Sequence, residues 1–174
     1  MRQLIYSVAA SLDGYIARPD GAYDWIPDEP DIDWGAFLGR FDTVLMGRRT
    51  YEVVTAGESG EDPTSRMRTV VASRTLDPED HPDVDVVSDE VTAFVEELLR
   101  EEGKDVWLMG GGVLFRSLLG AGLVDAVEVA LVPALLGDGI PLLPPGEGGS
   151  RLELRDLTRY PSGIVLASYE VPVD

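Results

Sequence analysis

The sequence predicts an α/β fold, a mixed and mostly parallel sheet with flanking helices and an antiparallel C-terminal hairpin. Three observations predict it. Over the first two-thirds of the chain, short apolar runs alternate with segments of helical periodicity. Two of those runs end in glycine and pass directly into a helical pattern, at Gly47 and at Gly110-Gly111-Gly112. The end of the chain carries strand patterns alone, which places antiparallel strands at one edge of the sheet. The 174 residues show no internal repeat and no dividing linker, so one domain over 1–174 is expected, long enough for a sizeable core.

The elements follow in order. Leu4–Ala10 reads as a strand apolar on both faces. Ser11–Asp33, rich in Asp, Gly and Pro, reads as a long loop, followed by a short helix from Asp33 or Trp34 to about Arg40. Thr43–Met46 is a second strand, and Arg48–Val54 a helix behind Gly47. Thr69–Ala72 and Val84–Val87 are further strands, with Glu58–Ser65 and Asp77–Asp85 as surface loops. Asp89 is expected to cap a helix running to about Glu102, whose apolar stripe is Val91, Phe94, Val95, Leu98 and Leu99. Gly103 ends that helix. Val106–Met109 is a buried strand that enters the three glycines, and Val113, Leu114, Ser117 and Leu118 recur at helical spacing over Gly112–Leu119. Val124–Pro133 is a strand, LLGDGIPLLPPGEGG an irregular loop, and Leu152–Tyr160 with Ile164–Val171 a hairpin turning at Pro161-Ser162-Gly163.

Composition removes several functions. A formal charge of −18 opposes general attraction to nucleic acid or anionic membrane, so neither is expected as a partner. With no cysteine there is no disulfide, thiolate metal site or cysteine nucleophile, and no metal is expected. The one histidine, His81, lies in DPEDHPDVD and reads as a solvated turn. The N-terminus is too polar for a signal peptide and no segment has the length to span a bilayer, so a cytoplasmic location is expected.

The remaining chemistry gathers at strand ends. Gly110, Gly111 and Gly112 let a backbone approach a ligand closely, and the helix behind them offers free N–H groups to an anion. Gly47 opens a helix with Arg48, Arg49 and Thr50, two guanidiniums and a hydroxyl at the end where cations oppose the dipole. A third strand ends in VVASRT, giving Ser73 and Arg74 the same kind of position. Three such ends converge on one edge of an open sheet, where ligands bind in such folds; the alternatives are a packed corner that needs small residues and a solvated arginine pair.

SLDGYIA, DTVLMGRRTYE, VVASRT, DVWLMGGGVLF and LVPALLGDGIPLL, in this order over nearly the whole chain, resemble the dihydrofolate reductase-like superfamily. The nearer resemblance is to the reductase domain of bifunctional riboflavin-biosynthesis deaminase-reductases. It implies a dihydrofolate reductase-like fold and NADPH as cofactor. By position, Met109, Gly110–Gly112, Val113 and Leu114 would pass beside nicotinamide and pyrophosphate, with a cis bond between Gly110 and Gly111. Gly47, Arg48, Arg49 and Thr50 would hold phosphates, Ser73 and Arg74 would lie near the adenosine 2′-phosphate, and Ala9 and Ile16 would line the nicotinamide pocket. The expected activity is hydride transfer to a small heterocyclic or carbonyl/imine substrate. An aminopyrimidine of riboflavin synthesis is the first candidate; dihydrofolate reduction and an NADPH-binding protein without turnover, its pocket filled by Tyr23 or Trp25, are the alternatives. Asp31 and Asp33 are the candidate catalytic carboxylates, with Asp24 and Glu128 behind them. The deaminase half, with its cysteine ligands, is absent from this chain. A homodimer through the C-terminal strands is expected, from the relatives and from an apolar edge that would otherwise stay open.

Overall fold

The apolar run Leu4–Ser11 forms β1 in the middle of the sheet, which is why both of its faces are hydrophobic. The computed structural model describes residues 1–56, 65–146 and 149–172. In chain order the elements are β1, β2 (Tyr15–Ala17), α1 (Trp34–Leu38), β3 (Phe41–Gly47), α2 (Arg48–Ala56), β4 (Arg68–Ala72) and β5 (Asp85–Val87). They continue with α3 (Val91–Arg100), β6 (Asp105–Gly110), α4 (Gly112–Gly120), β7 (Ala126–Val132), β8 (Ile140–Pro141), β9 (Glu153–Arg159) and β10 (Val165–Glu170). Eight strands make the main sheet in the order β5-β4-β3-β6-β1-β7-β10-β9. All neighbours are parallel up to β7, and β10 and β9 are antiparallel. The mixed sheet, flanking helices and terminal hairpin of the sequence reading are therefore present, with Gly163 at φ +90° in the hairpin turn.

Two apolar layers sandwich the sheet. On one face Val95, Leu98 and Leu99 of α3 and Phe115 and Leu118 of α4 pack on Leu4, Tyr6, Leu45, Val70 and Leu108. The Tyr6 ring stacks on Phe115 at 3.8 Å between centroids, and burial raises its phenol pKa. On the other face Phe37 and Leu38 of α1 and Tyr51 of α2 cover Ile5, Val44, Met46, Val71 and Trp107. The helices thus join successive parallel strands from both sides, and every crossover leaves its strand at the same edge. None of the described helices is long and apolar enough to cross a membrane.

Three local expectations are corrected. Asp89 does not cap α3; the chain enters the helix through Glu90 at φ +50°, with no side-chain cap bond. The two segments read as loops, Ser11–Asp33 and the stretch after β7, contain β2 and β8, which pair with each other antiparallel. At three and two residues they are too short to show a period, and their partners lie far apart in sequence. His81 is half-buried rather than solvated, its Nδ1 lying 3.0 Å from the Tyr51 hydroxyl. Most of the Glu58–Ser65 loop and the end of the loop after β8 fall outside the described residues.

Candidate functional site

The carboxyl edge of the parallel strands opens into a cleft of about 1780 Å³ that runs over β4, β3, β6 and β1. That exceeds the roughly 300–1,000 Å³ of a single small-ligand pocket. Gly47, Arg48, Arg49, Thr50, Ser73 and Arg74 line one end of it; Met109, Gly110–Gly112, Val113 and Leu114 line the middle; Ala9 and Ile16 lie beyond. The structure therefore brings together every residue that the sequence places around a cofactor.

The middle is built from backbone. Gly111 stands at φ +88° and ψ 109° as the cap before α4, a conformation that a side chain resists. A Cβ there would meet the Gly47 backbone at 3.9 Å, an ordinary contact, so the two glycine turns lie side by side on the wall of the cleft. A Cβ on Gly110 would sit 3.3 Å from the Thr50 hydroxyl, and one on Gly112 only 2.7 Å from the Pro141 carbonyl. No peptide bond among the described residues is cis, which corrects the expected cis bond between Gly110 and Gly111.

The cationic end is open. Arg48, Arg49 and Thr50 form the first turn of α2, and Arg48 contacts Glu52 of the next turn at 3.0 Å, both half-exposed. Arg49 and Arg74 are exposed and have no hydrogen bond or ion pair with any described residue. Ser73, nearly buried, accepts from the backbone N–H groups of Leu76 and Thr75 at 2.9 and 3.2 Å and so fixes the turn that presents Arg74.

Past the glycines, the floor is Ser7, Ala9 and Trp107, and Tyr23 and Ile26 of the long loop form the opposite wall. The Trp107 indole N–H donates to the Ser7 carbonyl at 2.9 Å, and its ring meets Phe37 edge-on. Tyr23 lines the cleft but is 53% exposed, so it does not fill the pocket. The Trp25 indole N–H is buried without a partner among the described residues.

Asp13 holds the mouth. Its carboxylate accepts from the Ser11 hydroxyl at 2.6 Å and from the backbone N–H groups of Gly137 at 2.7 Å and Leu136 at 3.1 Å. Those bonds, the Ser11 hydroxyl first, hold its pKa down at about 2. The loop that carries Ile16 is thereby tied to the loop after β7, and the β2–β8 pair completes the tie.

The carboxylates chosen from sequence are corrected. Neither Asp31 nor Asp33 lines the cleft. Asp33 is the N-cap of α1 and accepts from the Ala36 N–H at 2.8 Å, while Asp31 is exposed on the loop before it. Local capping is what an Asp three residues ahead of a free helix N–H does most readily. Asp24 pairs with Arg18 at 2.7 Å, which lowers its pKa. Glu128 is buried but takes both ends of the Arg40 guanidinium, at 2.7 and 3.0 Å, instead of facing the cleft. Ser7 and Trp107 were not singled out from sequence. The signal was there for Ser7, since strand alternation puts it on the face of Ala9.

Comparisons agree with this architecture. Residues 2–166 match the family described as the RibD C-terminal domain. The uncharacterized protein YyaP of Bacillus subtilis is 30% identical over 180 residues, covering 97% of this chain and 94% of that protein. The crystal structure of a candidate riboflavin biosynthesis protein from Shewanella sp. PV-4 superimposes with a TM-score of 0.83 at 27% identity, covering 99% of this chain and all of that one. Dihydrofolate reductase from Enterococcus faecalis, solved with NADP(H), shares the fold with a TM-score of 0.70 at 17% identity, over 98% of this chain and 97% of that one. The chain has the dihydrofolate reductase-like fold and belongs to the RibD C-terminal domain family.

Proposed function

We propose that this protein is an NADPH-dependent reductase of a small heterocyclic or carbonyl/imine substrate. The observation that carries the reading is the order of features along the cleft. Free arginines occupy one end, glycine backbone the middle, and an apolar pocket floored by Trp107 the far end. The residues fit the cofactor. Arg48, Arg49 and Thr50 suit its phosphates, Arg74 its 2′-phosphate, and the bare backbone of Gly47, Gly110 and Gly111 on the cleft wall suits its close approach. Ala9 and Ile16 suit the nicotinamide, with Met109 as apolar floor.

Bound there, the cofactor supplies a hydride to an electrophilic carbon, two electrons that break the π bond to oxygen or nitrogen, while a solvent proton goes to that heteroatom. The chain's share is binding, orientation and exclusion of water. Arginines fix the anionic end, the Gly111 turn sets the depth, and the Asp13 tie holds Ile16 over the pocket. With Asp33 committed to its cap and Asp31 outside the cleft, the proton comes from water through the open side. The open pocket favours turnover over a binding protein plugged by Tyr23. Loss of reduced-nicotinamide absorbance against a panel of pterins, aminopyrimidines and simple carbonyls is the test. Tight NADPH binding with no oxidation by any of them would reject a reductase.

The chain is proposed to act as a homodimer. Leu154 and Leu157 stand 57% and 56% exposed on β9, an open edge strand. Light scattering at low and physiological salt reads this, because the charge of −18 repels a second copy until it is screened.

A further inference from the structure

The substrate end of the cleft differs from the cofactor end in one respect that bears on what it accepts: no cation there is free. All 14 basic side chains of the chain lie among the described residues, and those that line the cleft are Arg48, Arg49 and Arg74, all at the cofactor end. Two other arginines come near the far end, and each already has a carboxylate. Arg40 is forked onto Glu128, which is the register partner of Ser7 on the neighbouring strand. Arg18 is held by Asp24.

The acids of this end are used up in the same way. Glu29, 7% exposed, accepts from the backbone N–H groups of Ser162 at 3.0 Å and Asp31 at 3.1 Å, and the Ser162 bonds hold its pKa below the usual carboxylate range. Glu128 and Asp24 face their arginines, and Asp20, exposed, lines the cleft next to Gly21, which lies against Val53 of α2. A phosphate or carboxylate entering this pocket would meet no unpaired cation. A cation would find no free carboxylate inside. What remains is an apolar lining that includes Trp107, Ala9 and Ile26, with Ser7, whose hydroxyl has no partner among the described residues, beside them.

Resting on the reductase reading, we propose that the substrate is an uncharged flat heterocycle or carbonyl compound, that anionic counterparts are rejected, and that the Ser7 hydroxyl is its polar contact. A neutral ring packs on this apolar lining, and one of its oxygen or nitrogen atoms accepts a hydrogen bond from the Ser7 hydroxyl. An anion loses its hydration and gains no counter-charge, and that difference is the source of discrimination.

Matched pairs test it on the NADPH-saturated protein: dihydrobiopterin against dihydrofolate, pyridoxal against pyridoxal 5′-phosphate, and 5-amino-6-ribosylaminouracil against its 5′-phosphate. Binding is read by quenching of tryptophan fluorescence, and kcat/KM by NADPH oxidation. The uncharged member of each pair that binds is expected to be favoured at least about tenfold. Equal or tighter binding of an anionic member overturns the proposal, as does failure of all six compounds to bind. Titration with NADPH alone comes first, and absence of binding there rejects the reductase reading itself. Ser7→Ala should weaken the uncharged ligand several-fold with NADPH affinity unchanged; no change removes Ser7 from the proposal. Glu128→Gln frees Arg40 and should improve only the anionic members. A Glu128→Gln protein that binds NADPH normally but gains nothing for anions would show that charge pairing is not what rejects them.

Discussion

The two edges of the parallel sheet present the same side chain in opposite states. At the edge where the strands begin, Arg2 is 4% exposed and saturated: it donates to the Lys104 carbonyl and the Thr43 hydroxyl and pairs with Asp42 and Glu101. Beside it Arg68 bridges Asp85 at 2.6 Å and Glu101 at 3.0 Å. At the edge where the strands end, Arg49 and Arg74 have no such partner among the described residues, and Arg48 has only Glu52. The difference is not for want of carboxylates, since acids outnumber bases 32 to 14. A matched guanidinium ties strands and loops together. On the proposed reading, an unmatched one, beside bare glycine backbone in an acidic protein, holds its donors for an outside anion. The two edges would then divide stability from binding, and substitutions should separate the two.

The sharpest break is Gly111→Ala. A Cβ at φ +88° strains the turn by about 1–3 kcal/mol, and relief shifts the backbone that lines the middle of the cleft. NADPH affinity should fall about a hundredfold or more, while the folded state survives with a lowered denaturation midpoint. Normal binding would make the triple glycine a packing corner and leave the open edge without its central feature.

Arg2→Ala attacks the opposite edge. It leaves the Asp42 carboxylate, the Thr43 hydroxyl and the Lys104 carbonyl short of a donor, a loss of about 1.5–3 kcal/mol for hydrogen bonds to a charged group. Urea denaturation should read that loss, with the Kd for NADPH unchanged. A shift in Kd without a shift in stability would join the edges that the structure keeps apart.

Arg74→Ala is the mirror experiment. It should leave stability within about 0.5 kcal/mol and weaken NADPH about tenfold or more. NADH should bind more weakly than NADPH to the parent protein, and the variant should narrow that gap. Equal affinity of the parent for both cofactors would remove the 2′-phosphate from this end of the cleft.

The open edge was legible in the sequence because its signals are local. Gly47-Arg48-Arg49, Ser73-Arg74 and the three glycines each sit where an apolar strand pattern stops, and strand polarity alone brings such ends together. The closed edge was not. Arg2 finds Asp42 and Lys104 only after β1, β3 and β6 have been laid side by side. The β2–β8 pair and the Asp13 tie escaped for the same reason, each joining segments more than a hundred residues apart. Asp33 misled differently. An acid ahead of a helix suits a cap as well as a ligand, and position in sequence cannot show which way the carboxylate turns.

The smallest effect comes from the ion pair at the cationic end of the open edge. Glu52 lines the cleft and holds Arg48 across one helical turn, both side chains about half exposed. Such a pair adds only about 0.2–0.5 kcal/mol to a helix, so Glu52→Gln should barely move stability. For the ligand it does two things of the same sign: Arg48 no longer has to leave a partner, and one negative charge is gone from the wall beside the phosphates. NADPH should therefore bind more tightly, by an amount on the order of the lost pair, roughly twofold. The gain should shrink as salt is raised, because both charges lie within reach of solvent ions. Isothermal titration at two ionic strengths measures both. Weaker binding instead would mean that Glu52 aims Arg48 at the phosphate, and the open edge would then depend on a carboxylate partner just as the closed one does.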